Sequence, residues 1–466
     1  MTSELTPVDA LRADVVQVVD EIVGHLGALR GDLEASRGGA ELQLLQRRVS
    51  ALESRLSEIG AWRESMNRDR IRDAYAHMSR IHEKQRTVVF VGRDYFGDNV
   101  KYAYLAALDS VDGRGGESWF LPFDAAQERI VTALGGRCLP ADPADWSAAH
   151  VSLALETAVL VTCDHFGPDC HPNPYAPSLF AGARCVQLWH GISIKEIGLR
   201  NQAPLARITP QFARLLATCG PYAAMVGCCA SSEQEWRRWF SFARYAAIGY
   251  PRNDVLLRPP SARDLLNVDP EALHAMRETR AAGGRVFLYV PTFRDGRPEW
   301  IHDIALPELA DALARRGDRL VVNLHPGEHS MLPALAAQWP RVRFVRARSD
   351  LYPLLAESSA LITDYSSLMF DYLFLDRPVV FFRPDHARYV GDSRRLYDAK
   401  VSRMPGPVLD HPAALLETLA ADLVASGALY ADTRRELRER LFDRVDAQAG
   451  ARLQALIAQE LDAALA

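Results

Sequence analysis

A histidine in a tight, glycine-containing segment, Trp189-His190-Gly191, follows the apolar run Cys185-Val186-Gln187-Leu188. Imidazole takes a proton from a hydroxyl near neutral pH, and a glycine lets the chain turn sharply and a ligand come close. A lone histidine at a strand end is more often satisfied by a carbonyl. Trp189 beside it and Lys195 shortly after it favour chemistry, since Lys195 suits a phosphate as a mobile point charge. A second segment, Thr363-Asp364-Tyr365-Ser366-Ser367, follows Ala360-Leu361-Ile362. Ser366 and Ser367 stand where a helix should begin, so hydroxyls, N–H groups and the helix dipole combine into an anion site. Ser366 as an ordinary N-cap is the plainer alternative. Asp364 at the strand end and Asp371 one turn on, in reach of ribose hydroxyls, exceed what capping requires.

Three further strand-end segments carry polar groups. Val290-Pro291-Thr292-Phe293-Arg294-Asp295 offers Thr292 and the planar fork of Arg294, which suits phosphate oxygens, with a surface arginine paired to Asp295 as the alternative. His325 in Asn323-Leu324-His325-Pro326 is placed to donate to a phosphate or a leaving group, with a purely structural role beside Pro326 as the alternative. Gly249-Tyr250-Pro251-Arg252-Asn253-Asp254 joins turn residues to a cation, fitting a hinge or a phosphate contact through Arg252. After the first strand, Phe96-Gly97-Asp98-Asn99 reads as an acceptor-side loop, with a plain helix cap as the alternative.

These segments need a scaffold that presents loops at the carboxyl ends of strands. From Thr87-Val88-Val89-Phe90-Val91 onward, short β-rich runs alternate with helical patterns, the signature of parallel, doubly wound sheets. The runs are Ser118–Leu121, Ala158–Thr162, Cys185–Leu188 and Tyr245–Ile248. After the polar linker Arg258-Pro259-Pro260-Ser261 come Arg285–Val290, Arg319–Leu324, Val342–Val345, Leu361–Thr363 and Val379–Phe382. The window from Ala213 to Ala230 reads as a broken buried helix. The expectation is an α/β chain of GT-B architecture, two Rossmann-like domains (87–258 and 259–410) facing a cleft, with helices at 411–466 packing across them. Residues 1–86 differ. Apolar residues step by three or four from Val8 to Leu33 and again from Leu42 to Ile59, an a/d seam interrupted at Ser36-Arg37-Gly38-Gly39. That predicts a helical coiled coil or hairpin, used for self-association or docking, with a helical pair packed on the chain's own globular domain as the equal alternative.

Bulk composition excludes several classes. A chain of 466 residues is too long for one core. A net charge of -5 gives no basic face for nucleic acid. The seven cysteines form no C-x-x-C pair, and the N-terminus lacks a signal-peptide layout. No run is long and apolar enough to span a membrane. No D-x-D or carboxylate cluster suggests a metal, and no cofactor is expected.

Together the ordered segments resemble the CDP-glycerol glycerophosphotransferase family, the teichoic acid primases and polymerases and related capsule polymerases. The likeness runs through Gly97-Asp98-Asn99, Gln187 to Gly191 with Lys195, Gly249 to Asp254, Tyr289 to Asp295, His325-Pro326, Thr363 to Ser367 with Phe370-Asp371, Tyr389, and Met404-Pro405-Gly406-Pro407. The resemblance implies transfer of a polyol phosphate from a CDP-activated donor, CDP-glycerol or CDP-ribitol, to a lipid-linked or glycan acceptor, with release of CMP. It implies His190 as general base, and Arg294, His325, Ser366 and Ser367 on the donor diphosphate. Asp371 becomes a ribose or donor contact, and the protein sits peripherally on the inner face of the cell membrane. Two alternatives remain: a GT-B glycosyltransferase using a nucleotide sugar, and a coiled-coil scaffold with a decayed transferase half.

Overall fold

A computed structural model describes residues 7–35, 39–109, 116–194, 197–200, 215–294, 298–386, 389, 404–421 and 427–466. The chain divides into two compact units, Met1–Tyr75 and Ala76–Ala466. In the first, helices α1 (Pro7–Ala35) and α2 (which runs on to Ile81 from Gly39) form a hairpin. Arg30 Nη2 lies 2.8 Å from Glu53 Oε1, and Leu26 and Val49 are buried along the seam. Further along α2, Trp62, Met66 and Ile71 are exposed. The Ser36-Arg37-Gly38 break lies outside the described residues.

The second unit holds two parallel sheets. In the first sheet the strands are β1 (Gln85–Val91), β2 (Glu117–Leu121), β3 (Arg137–Cys138), β4 (Thr157–Thr162), β5 (Arg184–Gln187), β6 (Tyr222–Gly227) and β7 (Phe242–Ala247), in the order 3-2-1-4-5-6-7. In the second they are β8 (Val286–Val290), β9 (Arg319–Val322), β10 (Arg343–Phe344), β11 (Ala360–Thr363), β12 (Val379–Phe382) and β13 (Val408–Leu409), in the order 10-9-8-11-12-13. Their central strands are buried on both faces, as continuous apolar runs in parallel sheets must be. The order reverses between β1 and β4 and between β8 and β11, the switch points where doubly wound sheets open a crevice at the carboxyl ends of strands.

Two expectations need correction. The window Ala213–Ala230 is not a broken helix: its second half is the strand β6, in register with β5 and β7. Its Ala-rich, β-branched-poor sequence disguised it, and neighbours on both sides decided its state. The short edge strands β3 and β13 were also missed, being too brief for periodicity to register. The terminal helix Ala449–Leu465 returns to the first sheet, where Arg184 Nη2 meets Glu460 Oε2 at 2.6 Å, while Pro412–Ala420 and Ala431–Leu441 stay with the second.

Candidate active site

The Trp189-His190-Gly191 turn is held open by specific bonds. Trp189 sits at φ +52, in the left-handed region that costs a bulky residue on the order of 1–3 kcal/mol. Its N–H donates to Gln187 Oε1 at 2.8 Å and its carbonyl accepts from Asn99 Nδ2 at 2.8 Å. Gln187 Nε2 also donates to Asp164 O, tying the loop after β5 to the loop after β4. His190 stacks on Trp189, ring centroids 4.3 Å apart, with its side chain 38% exposed. His190 Nδ1 faces Cys163 O at 3.4 Å and Asp164 Oδ1 at 3.9 Å. A proton on Nδ1 would serve the Cys163 carbonyl with Asp164 close by, and in that tautomer Nε2 is the acceptor. Burial pushes the imidazole below its ordinary range and Asp164 opposes the shift, so the ring is neutral at pH 7.

Gly191 has φ +122, and a Cβ there would come within 2.5 Å of Arg252 Nη2 and 3.8 Å of Ser367 Oγ. The two sequence segments therefore meet across the cleft. Ser366 and Ser367 are half-buried, and Ser366 Oγ accepts from Leu368 N at 3.2 Å. The helix they open, Leu368–Tyr372, has only 5 residues. The dipole expected there is correspondingly small, and the hydroxyls carry whatever anion affinity the turn has. His325 is exposed, and its Nδ1 accepts from Gly327 N at 3.1 Å. In the neutral ring that places the proton on Nε2, the tautomer opposite to that of His190.

Several residues expected on the donor are instead structural. Arg252, 4% exposed, donates from Nη1 to Asp98 Oδ1 and from Nη2 to Asp371 Oδ2, both at 2.6 Å. Asp371, 1% exposed, also accepts from Tyr352 OH at 2.7 Å and Asn253 Nδ2 at 3.1 Å. Cation and carboxylate are taken up by one another here, and together they tie the two domains. Asp98 and Asn99 are buried likewise, Asp98 at φ +57 beneath Arg93 and Arg252, so they support the histidine loop rather than meet an acceptor. Burial would raise the Asp98 carboxyl, but Arg252 and Arg93 outweigh it and hold it at about 2.

Arg294 is also occupied. Its Nε and Nη2 donate to Asp385 at 2.7 and 3.1 Å, Nη2 lies 2.9 Å from Asp364 Oδ2, and Nη1 donates to Thr292 O and Oγ1. Asp364 is fully buried and accepts from Thr292 N at 3.0 Å, so it and Thr292 shape the strand-end loop. The fork of Arg294 reaches no anion while Asp385 holds it. Lys195 and Asp295 lie outside the described residues.

Sequence reading passed over Arg93, Asp164, His165 and His171, which surround a cavity beside His190. Arg93 Nη2 is 3.2 Å from Asp164 Oδ2. The signal was present: Asp164 and His165 directly follow Cys163 at the end of the predicted strand Ala158–Thr162. It also missed the interdomain contact of Lys101, fully buried, with Asp350 Oδ2 at 2.6 Å. No group of three or more His, Cys, Asp or Glu that could hold a metal occurs among the described residues.

Two doubly wound sheets with polar loops converging from both define the class: two-domain proteins of GT-B architecture. The chain belongs to the CDP-glycerol:poly(glycerophosphate) glycerophosphotransferase family, whose profile matches residues 146–459. It is 28% identical over 248 residues to a teichoic acid poly(glycerol phosphate) polymerase of Staphylococcus epidermidis, covering 50% of this chain and 33% of that protein. It is 25% identical over 284 residues to a teichoic acid glycerol-phosphate transferase of Staphylococcus aureus, covering 58% and 69%. A teichoic acid ribitol-phosphate primase of Bacillus spizizenii is 29% identical over 178 residues, covering 38% of this chain and 44% of the relative. The chain thus spans a third of the first relative and under half of the third. The fold matches that of the wall teichoic acid polymerase TagF with a TM-score of 0.62 at 20% identity, over 88% of this chain and 99% of that one.

Proposed function

We propose that this protein transfers a polyol phosphate, glycerol phosphate first, from a CDP-linked donor to an acceptor hydroxyl, with release of CMP. The observation that carries the reading is the approach of the two sequence segments: a Cβ on Gly191 would come within 3.8 Å of Ser367 Oγ, which sets the His190 loop of the first domain against the Ser366-Ser367 turn of the second. In the proposed step the acceptor hydroxyl gives its proton to His190 Nε2 as its oxygen bonds to the β-phosphorus. The bond from that phosphorus to the bridging oxygen breaks, and the pair leaves with CMP, steadied by the His325 N–H and the Ser366 and Ser367 hydroxyls. Phosphoryl transfer asks chiefly for such positioning and charge stabilisation. Transfer without a bound metal is part of the proposal, and EDTA should leave the rate unchanged.

Incubation with CDP-glycerol and CDP-ribitol, with CMP release as readout, tests this directly. His190→Ala should lose turnover by at least about a hundredfold, the usual worth of a general base, while donor binding persists. Near-normal turnover in that variant would sink the assignment. A nucleoside diphosphate and a glycoside as products would favour the glycosyltransferase alternative.

The relatives named above act in teichoic acid synthesis, which supports a lipid-linked or glycan acceptor and a site of action at the membrane surface. No helix among the described residues is long and apolar enough to cross a membrane. Self-association through the exposed Trp62 and Met66, one turn apart on α2, completes the proposal, with sedimentation velocity of the full chain as its check.

A further inference from the structure

In the second sheet β11 and β12 run parallel with Thr363 opposite Phe381, so the segments that follow them, Asp364-Tyr365 and Arg383, emerge side by side. Doubly wound sheets bind their ligands along this carboxyl edge. Two arginines flank Asp364, and their partners differ. Arg294 is held by the carboxylates of Asp364 and Asp385. Arg383, 8% exposed, touches no carboxylate among the described residues. Its Nε and Nη2 both donate to the backbone carbonyl of Asp364, at 3.1 and 2.9 Å, and Nη2 also meets Met404 Sδ at 3.8 Å.

The rest of its surroundings are aromatic: the guanidinium carbon is 4.7 Å from the centre of the Tyr365 ring and 5.4 Å from that of Phe381. Burial pushes Arg383 below the usual arginine range, with Tyr365 and Asp364 opposing, whereas at Arg294 the two carboxylates outweigh burial. An arginine keeps its proton even so. A desolvated cation is costly until an anion pairs with it. The near carboxylates are committed elsewhere: Asp364 accepts from Thr292 N and pairs with Arg294, and Asp385 has both oxygens on Arg294. With Nε and Nη2 fixed on one carbonyl, Nη1 stands on the opposite edge of the fork. It has no partner among the described residues, and it is not sealed from solvent as the unpaired Nε atoms of Arg93 and Arg252 are.

We propose that Arg383 is the cation of the donor site: Nε and Nη2 fix the Asp364 peptide and the turn leading to Ser366 and Ser367, while Nη1 meets the phosphate groups of the CDP-linked donor. The word donor rests on the transferase reading; anion binding at Arg383 does not. The positive charge facing the diphosphate thus comes from the end of β12, because Arg294 is already spent on carboxylates.

The test is calorimetric titration of the full chain with CDP and with inorganic pyrophosphate, alongside thermal melting. Arg383→Met keeps an unbranched chain against Tyr365 and Phe381 and removes the charge. It should weaken both anions at least about tenfold, as loss of a charge-assisted hydrogen bond does, and melt no lower than wild type without ligand. Arg383→Gln can still donate to the Asp364 carbonyl but carries no charge, so it should bind as poorly as Arg383→Met. Arg383→Lys restores the charge and should recover part of the affinity. Unchanged affinity in Arg383→Met, no binding of either anion to wild type, or Arg383→Lys no better than Arg383→Met would overturn the proposal. Wild-type affinity in Arg383→Gln would assign the residue to the turn alone and overturn it too. Pyrophosphate binding that depends on Arg383, without CMP release from any CDP-polyol, would overturn the transferase reading and support the site. CMP release with CDP affinity independent of Arg383 would do the reverse.

Discussion

Arg252 Nη2 lies 2.6 Å from Asp371 Oδ2, and that contact carries the guanidinium of the first Rossmann-like domain into the second. Asp98 holds the other amino group at the same distance, so one buried cation bridges two buried anions. Lys101 and Asp350 make a parallel tie. The cleft is therefore set by fixed ion pairs rather than by apolar packing alone, and they hold Gly191 close to Ser367.

Removing one partner of such a pair leaves an uncompensated buried charge. Asp371→Ala should destabilise the fold by about 3–5 kcal/mol, read from urea denaturation. Unchanged stability would mean Asp371 faces ligand after all, and donor affinity would then fall instead.

Acid stability follows from Asp98. Its folded value of about 2 lies below the ordinary carboxyl value of 3.8, so the ionised form is favoured by folding. The stability it contributes is present above that ordinary value and is lost as pH falls from there toward 2. The stability difference between wild type and Asp98→Asn, measured by denaturation at stepped pH, should shrink across that window.

The rate profile reports His190. Its conjugate acid is weakened mainly by burial and strengthened by Asp164, so the acidic limb of kcat/KM should fall below the ordinary histidine value of 6.5. Asp164→Asn removes a negative charge and should move the limb to still lower pH. A move to higher pH would show that another group controls it.

Gly191→Ala combines strain at φ +122 with a clash against Arg252 Nη2. CMP release should drop at least about tenfold, with a loss of stability on the order of 1–3 kcal/mol. Thermal melting and a turnover assay separate the two effects.

Asp385 holds the fork of Arg294 with both oxygens, in the manner a phosphate would. Asp385→Asn weakens that internal competitor, so the Kd for CDP should fall by several-fold in calorimetry. A weaker complex would show that Asp385 organises the donor site rather than blocking it.

The sequence by itself determined the alternation of strand and helix, the helical N-terminal seam, and the placement of His190, His325, Ser366 and Ser367 at strand ends. Those features are local: apolar period, turn chemistry and the position of a polar residue after a buried run. The ordered motifs even located the cleft. Tertiary structure decided what each charge does. Arg252, Arg294, Asp364 and Asp371 all read as donor-site residues, because spacing cannot tell a charge facing solvent from one facing a buried partner. Folding brings Asp98, Asp371 and Asp385 from remote positions onto those guanidinium groups, and a desolvated charge must be paired wherever its partner lies in the chain. The same folding places Arg93, Asp164 and His171 around one cavity, a juxtaposition for which no stretch of sequence has a signature.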